Sequence, residues 1–315
     1  MRPEHGMSNP DGRDSGCDRD GGVGLKSPAF RYVKPASLAE TFGVLKSFGD
    51  EARLLAGGQS LLAALNMRLA SPRVLVDIND LADLAGIRVS ENAVTIGALT
   101  RHRTVERSPD IRRYLPLLYQ AMPYVAHPAV RNRGTFGGSI SFADPAAELP
   151  ACCVALGAVF QLASETGVRS VPAREFFKGM YETALRPDEA LVAADIPVIG
   201  RNYRSAFAEL SLRHGDYAIV GLAGHAKYED GALSDVRLVY FGVGSAPVFA
   251  EAASRILEGK TPSPGTVLAA QRELPRDLAP NDDAMYSAAV RMHWAGELLV
   301  KVVEQFSAKD EGNRE

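Results

Sequence analysis

Cysteine is nearly absent: this chain of 315 residues has three. An iron–sulfur cluster takes about four cysteine ligands, so the chain cannot hold one by itself. It contains no CxxC and no cluster of four cysteines. Cys152 and Cys153 are adjacent in an apolar run, a spacing that suits neither a disulfide nor a metal fork. They read as small buried hydrophobes of a reducing compartment. A charge excess is missing too. With 35 basic and 38 acidic residues the formal net charge is −3, so nothing points to nucleic acid or to an anionic membrane surface. No apolar run approaches the roughly 18–20 residues of a bilayer span. The N-terminal "MRPEHGMSNPDGRDSGCDRDGGVG" lacks the apolar region of a secretory signal. The expected location is cytoplasmic.

Hydrophobic residues make up 46% of the chain and charged residues 23%, the proportions of an ordinary globular protein. The length suits two domains. Residues 1–24, rich in Gly, Asp and Arg and including Cys17, read as a disordered leader. Residues 309–315 read as a tail.

"FRYVKPAS" predicts a strand and a turn at Pro35. Ser37 is the expected N-cap of a helix over "LAETFGVLKSFG", with Glu40 completing a capping box and Gly49 as the stop. A buried strand, "ARLLAG", runs into Gly57–Gly58, and a helix over "SLLAALNMRLA" is expected to end at Pro72. "RVLVDIND" and "AVTIGALT" read as strands. "TVERSPDIRRYLPLLYQAMPYV" is a helical stretch broken by prolines, and a helix is expected from about Ala146 to Leu156. After a linker-like "IGRNYRS" near residue 200, two antiparallel strands meet at Asp230–Gly231. Three helical patterns follow, with Asp282 and Asp283 at a helix start and Trp294 packing within the last helix.

Two stretches stand out, "RLLAGGQSLL" (53–62) and "RGTFGGSIS" (133–141). Each sets a glycine pair and small polar residues between apolar segments, with a helix expected just after the pair. Glycine allows close approach to the main chain, and successive amides at a helix start form an anion-binding hollow. Gln59, Ser60, Thr135 and Ser139 add neutral donors. Two such loops suit the two halves of a pyrophosphate. Neither stretch matches GxGxxG or the P-loop pattern.

The stretches "LLAGGQSLLAALNMRLASPRVLVDIN", "IGALTRHRTVERS", "HPAVRNRGTFGGSISFADPAAELPA" and "LRHGDYAIVGLA" occur in that order. Over about residues 28–305 they resemble the FAD-binding medium subunit of the molybdenum hydroxylases, the family of carbon monoxide, xanthine and nicotine dehydrogenases. The resemblance implies an α+β fold. A PCMH-type (vanillyl-alcohol-oxidase-like) FAD-binding domain would cover 25–200, as two α/β subdomains of about 25–81 and 82–200. A C-terminal domain over 201–308 would carry a three-stranded antiparallel sheet and helices.

The resemblance also implies a site. The first pyrophosphate loop falls on Leu54, Leu55, Ala56, Gly57, Gly58, Gln59, Ser60 and Leu61, and the second on Thr135, Phe136, Gly137, Gly138 and Ser139. Glu148, where many relatives have Asp, would contact the ribityl or ribose region, with Asp144 a second candidate. Val125 and Leu191 would lie against the flavin, and Tyr217 beside the isoalloxazine or, alternatively, in the core. Some relatives carry Lys near Ala208–Glu209, which this chain does not. Arg131 and Arg133 read either as surface charges or as loop-shaping or partner-facing groups. Asp216 reads as a turn tie or a cofactor contact, and His127 as a turn residue. No catalytic residue and no metal ligand is assigned.

The implied role is electron transfer. FAD in this chain would take electrons from [2Fe–2S] clusters of a small partner subunit, fed by a large molybdopterin subunit in an (αβγ)2 assembly, and pass them to NAD, oxygen or a quinone. The alternatives are an FAD-binding scaffold without turnover, or a self-sufficient flavin oxidase.

Overall fold

The computed structural model describes residues 27–200 and 202–308. The expected leader, the tail and Cys17 lie outside them. The chain begins with β1 (Arg31–Val33), α1 (Leu38–Phe48), β2 (Ala52–Leu55), α2 (Leu61–Asn66) and β3 (Val74–Asp77). The three strands form a parallel sheet with β3 in the middle. Ser37 caps α1 as expected, its hydroxyl accepting the Glu40 amide at 3.2 Å. The Glu40 carboxylate reaches back to the Ala36 amide (2.8 Å), one residue short of the reciprocal box. Gly49 closes the helix at φ 49°.

Gly43, inside α1, has nothing within 4 Å of where a Cβ would stand. Gly43→Ala should therefore stabilise the chain by about 0.5–1 kcal/mol, read as a higher denaturant midpoint. α2 is shorter than its sequence suggests. It ends at Asn66, not at Pro72, because the Arg68 amide bonds Leu65 O (3.0 Å) and the Leu69 amide bonds Ala64 O (2.9 Å). With Arg68 at φ 58°, this is the paired bonding of a Schellman stop.

The middle of the chain holds β4 (Ile87–Val89), β5 (Ala93–Gly97), α3 (His102–Arg107), α4 (Pro109–Tyr114), α5 (Pro116–Ala121), α6 (Pro128–Arg133), α7 (Phe136–Phe142) and α8 (Glu148–Ala155). After these come β6 (Val159–Ser164), β7 (Gly167–Pro172), α9 (Ala173–Phe176), β8 (Phe177–Gly179), β9 (Glu182–Thr183) and β10 (Ala190–Pro197). β4–β5–β10–β6–β7 is an antiparallel sheet, and β8 and β9 form a small ribbon. Pro109, Pro116 and Pro128 each open a helix, where the missing N–H costs nothing.

The last part holds β11 (Tyr203–Ser211), β12 (Ala218–Glu229), β13 (Ala232–Phe241), β14 (Val248–Phe249), α10 (Glu251–Leu257), α11 (Pro264–Asp277) and α12 (Ala288–Ser307). The three long strands form the expected antiparallel sheet, and the two-residue β14 extends it to four. Asp230 and Gly231 turn β12 into β13 with φ of 51° and 81°, the left-handed pair of a type I′ turn. Asp282 accepts the Ala288 amide at the start of α12, and Asp283 pairs with Arg291. Trp294 packs against this part's core, edge-on to Tyr286.

β11 alternates. Ala206 and Ala208 enter the core shared with α12, while Phe207 joins the larger core of the middle sheet and α8. Cys152 and Cys153 are free thiols buried in that larger core. Among the described residues no helix is long and apolar enough to cross a membrane.

Candidate functional site

The two glycine loops touch. A Cβ on Gly57 would lie 2.3 Å from Arg133 O and 2.8 Å from the Gly134 Cα, distances only glycine allows. The contact is pinned from the side by two residues the sequence reading passed over. The Asn79 amide donates to Ala56 O (2.6 Å) and to Asp77 (2.7 Å). The Asn79 side-chain oxygen accepts from Arg101 (2.8 Å), whose guanidinium also reaches Arg133 O. Both residues lie in the stretches "VLVDIN" and "IGALTRHRT", yet a strand-end Asn and a helix-flanking Arg show no role until the loops are side by side.

The loops differ in their donors. Among the described residues, the amides of Gly57, Gly58, Gln59 and Ser60 donate to no protein acceptor. Gly58 holds φ 73°, which turns this run out of β2 and into α2. The second loop departs from the expected pattern. Its glycines lie within the first turn of α7, not ahead of a helix, and their amides are committed. Phe136 bonds Thr100 O (2.8 Å), Gly137 bonds Ala98 O (2.8 Å) and Ser139 bonds Thr135 O (3.1 Å). Gly138 bonds the Thr135 hydroxyl (3.2 Å), which caps the helix. Gly137 is required by proximity, since its Cβ would stand 2.5 Å from that of Ala98. The second loop therefore offers hydroxyls and a close-packed wall, and the first offers bare N–H groups.

Under the second loop lies His102, whose amide bonds Gly134 O at 3.0 Å. Burial holds its ring neutral, with a pKa pushed down to about 4.

Arg131 is buried, which decides between its two readings. It donates to Val125 O (2.9 Å) and Ala126 O (2.6 Å) and pairs with Glu106 (3.3 Å). It thereby holds the turn at Ala126, where φ is 47°. Arg133 is exposed. Val125 and Leu191 both belong to the larger core, 6% and 5% exposed. His127 caps α6 without a side-chain bond, as a turn residue. The "RHGDYA" turn abuts it: a Cβ on Gly215 would meet Ala126 O and His127 Nδ1, each at 3.0 Å. Tyr217 stands on that turn at 69% exposure, so the core reading is wrong for it. The glycine-bearing turn holds it at the rim instead.

The carboxyl groups gather beside this turn. Asp144 follows the left-handed end of α7 at Ala143 (φ 51°) and accepts the Ala146 amide at 2.9 Å. Burial raises its pKa. Glu148 opens α8 and is buried. Burial, with the Asp144 charge adding to it, lifts Glu148 to about 7 against the pull of its own amide and Arg131. Glu209, which the sequence reading considered only for the lysine it is not, reaches about 8 through burial and then Glu148. Its signal was present in "SAFAELSL": period-2 alternation puts it on the apolar face of Phe207. For Glu148 and Glu209 folding favours the protonated form, so their contribution is intact below about 4.5 and is lost as pH rises through about 7 to 8.

The structure thus brings the first loop against the start of the second, and sets Tyr217 near Asp144 and Glu148, with Val125 in the core beside the Ala126 turn that Gly215 abuts. Leu54, Leu55 and Leu61 belong to the flanking β2 and α2 rather than to the turn itself. Leu191 sits in β10, behind the wall: its neighbour Val192 accepts from the Ala98 amide at 2.9 Å.

Residues 28–199 match the family described as FAD binding domain in molybdopterin dehydrogenase, and residues 205–306 the CO dehydrogenase flavoprotein C-terminal domain. The chain is 38% identical over 286 residues to 6-hydroxypseudooxynicotine dehydrogenase complex subunit alpha of Paenarthrobacter nicotinovorans, covering 90% of this chain and 95% of that one. It is 34% identical to the carbon monoxide dehydrogenase medium chain of Afipia carboxidovorans, covering 89% and 98%. Among solved structures, carbon monoxide dehydrogenase from Hydrogenophaga pseudoflava superposes with a TM-score of 0.86 at 35% identity, covering 89% of this chain and 97% of that one.

Proposed function

Since the chain belongs to the FAD-binding medium subunits of the molybdopterin dehydrogenases, we propose that it is the electron-exit subunit of such a complex. It would take electrons from the [2Fe–2S] clusters of a small subunit, fed by a large molybdopterin subunit, and release them to NAD, oxygen or a quinone. The complex would be a cytoplasmic (αβγ)2 assembly. The cysteine count supports that division of labour: three cysteines cannot ligate even one cluster.

One observation carries the cofactor reading. The run of unspent amides at Gly57–Ser60 lies against the close-packed start of the second loop. Backbone N–H groups without partners suit a diphosphate, and the residues present fit FAD. In this reading Ala56 to Ser60 hold the diphosphate, with the Thr135 and Ser139 hydroxyls opposite. Glu148 and Asp144 face the ribityl region, and Tyr217 covers the ring. Bound FAD supplies the step between one-electron and two-electron carriers. The chain binds it, orients it and sets its surroundings.

The test is to isolate the full chain from its native source. It should show flavin absorption, and acid should release FAD. The accompanying chains should include a subunit with about eight cluster-ligating cysteines. A colourless protein, or release of FMN, would overturn the reading.

A further inference from the structure

The polar atoms hardest to account for are the two carboxylate oxygens of Glu209. Both are buried, and neither makes a hydrogen bond of good geometry. An ionised carboxylate kept that way is costly, so it persists only if it holds a proton or meets a changing charge. Alternation along β11 sends Glu209, like Phe207, toward the seam with α8, where it feels the Glu148 charge and the Cys152 thiol feels its own.

Few other charged groups face this seam. Asp144 adds a like charge, and Tyr217 and Tyr181 lie beyond it. Arg131 is already spent on Glu106 and two carbonyls, and on the turn after β11 His214 packs edge-on to Tyr124, which lies against Phe207. The Ser211 hydroxyl is the one group favouring ionised Glu209. Of the elements packed on α8, α7 and β14 carry no titratable group, and α5 carries only Tyr119. On β13, Arg237 bonds Ala155 O at the far end of α8, beside Asp235. α9 brings Arg174, which pairs with Glu251, and Glu175. β12 brings His225, Lys227, Tyr228 and Glu229 near its opposite end. On β11 itself, Tyr203 and Arg204 stand at the distant end of the strand. α12, with Arg291, His293, Glu297, Lys301 and Glu304, packs on the other face.

We infer that Glu148 and Glu209, two carboxyls buried at this seam, together hold one proton and take up a second when the neighbouring flavin is reduced. The inference rests on the FAD reading above. Two electrons from a one-electron iron–sulfur donor enter the flavin, and one proton joins the ring. The negative charge left on the ring is matched by the second proton, which brings the pair from one negative charge to none. Reoxidation by the acceptor releases it again. The apparent titration belongs to the pair rather than to either residue.

The test is the pH dependence of the flavin midpoint potential in the FAD-loaded full chain, reduced with dithionite and a mediator, for wild type, Glu209→Gln and the Glu148→Gln/Glu209→Gln double variant. Gln keeps the shape and neutrality of a protonated Glu. Through about pH 7 to about 8, the wild-type potential should fall by about 30 mV per pH unit more than that of the double variant, one extra proton per two electrons. Glu209→Gln alone should confine the steep range to its lower end near pH 7, because the Glu209 step at about 8 is gone. Parallel lines for wild type and double variant, both with FAD bound, overturn the pair. A wild-type chain that binds no FAD overturns the FAD reading instead.

Discussion

Gly57→Val is expected to give a folded chain that binds FAD on the order of a hundred- to ten-thousand-fold more weakly. A side chain here meets backbone on the facing loop, 2.3 Å from Arg133 O, and backbone cannot swing aside as a rotamer can. The loops must part, at an overpacking cost of about 1–3 kcal/mol, which a domain of this size survives. Binding suffers more. Each amide-to-diphosphate bond is charge-assisted and contributes about 1.5–3 kcal/mol. Misplacing two of the four donors removes about 3–6 kcal/mol, which sets the expected loss of affinity. The readouts are the FAD dissociation constant and, for the fold, circular dichroism. Gly58 is the milder position. Its Cβ would meet only the Leu62 and Leu55 side chains at 3.0–3.4 Å, leaving mainly the cost of its left-handed φ, about 1–2 kcal/mol. Equal losses at the two glycines would contradict the loop contact.

Arg131→Met should cost stability rather than cofactor contact. The guanidinium satisfies Val125 O and Ala126 O and neutralises Glu106, while being 8% exposed itself. Two hydrogen bonds from a charged donor contribute about 3–6 kcal/mol together, and their loss is a fall in Tm on the order of 10 °C. Adding Glu106→Gln should recover little, because Arg103 still pairs with that carboxylate at 2.8 Å. A shift below about 1 kcal/mol would mean that the Ala126 turn holds without its tie.

The sequence made the fold legible where local chemistry and tertiary structure agree. Asp230–Gly231 supplies a turn the backbone needs, and Ser37, Pro109, Pro116 and Pro128 mark helix starts by rules that act within a few residues. It failed where closure is set by geometry that composition does not carry. α2 stops on a left-handed Arg68, a residue type that does not announce that conformation. For the site, the glycine pairs were visible as pairs but not as unequal partners. Only the approach of Gly137 to Ala98 and the cap from Thr135 show that the second loop's amides are spent. Asn79 meets Arg101, Arg101 meets Arg133 and Glu209 feels Glu148, each across 22 residues or more of sequence. Contacts of that separation leave no local pattern.

The most direct measurement is a structure of the full chain with FAD bound. The account predicts diphosphate oxygens within hydrogen-bond distance of the main-chain nitrogens of Gly57, Gly58, Gln59 and Ser60, with the amides of Phe136 to Ser139 keeping their present protein partners. A diphosphate seated away from the first loop, with the amides of Gly57 to Ser60 facing solvent, would contradict it.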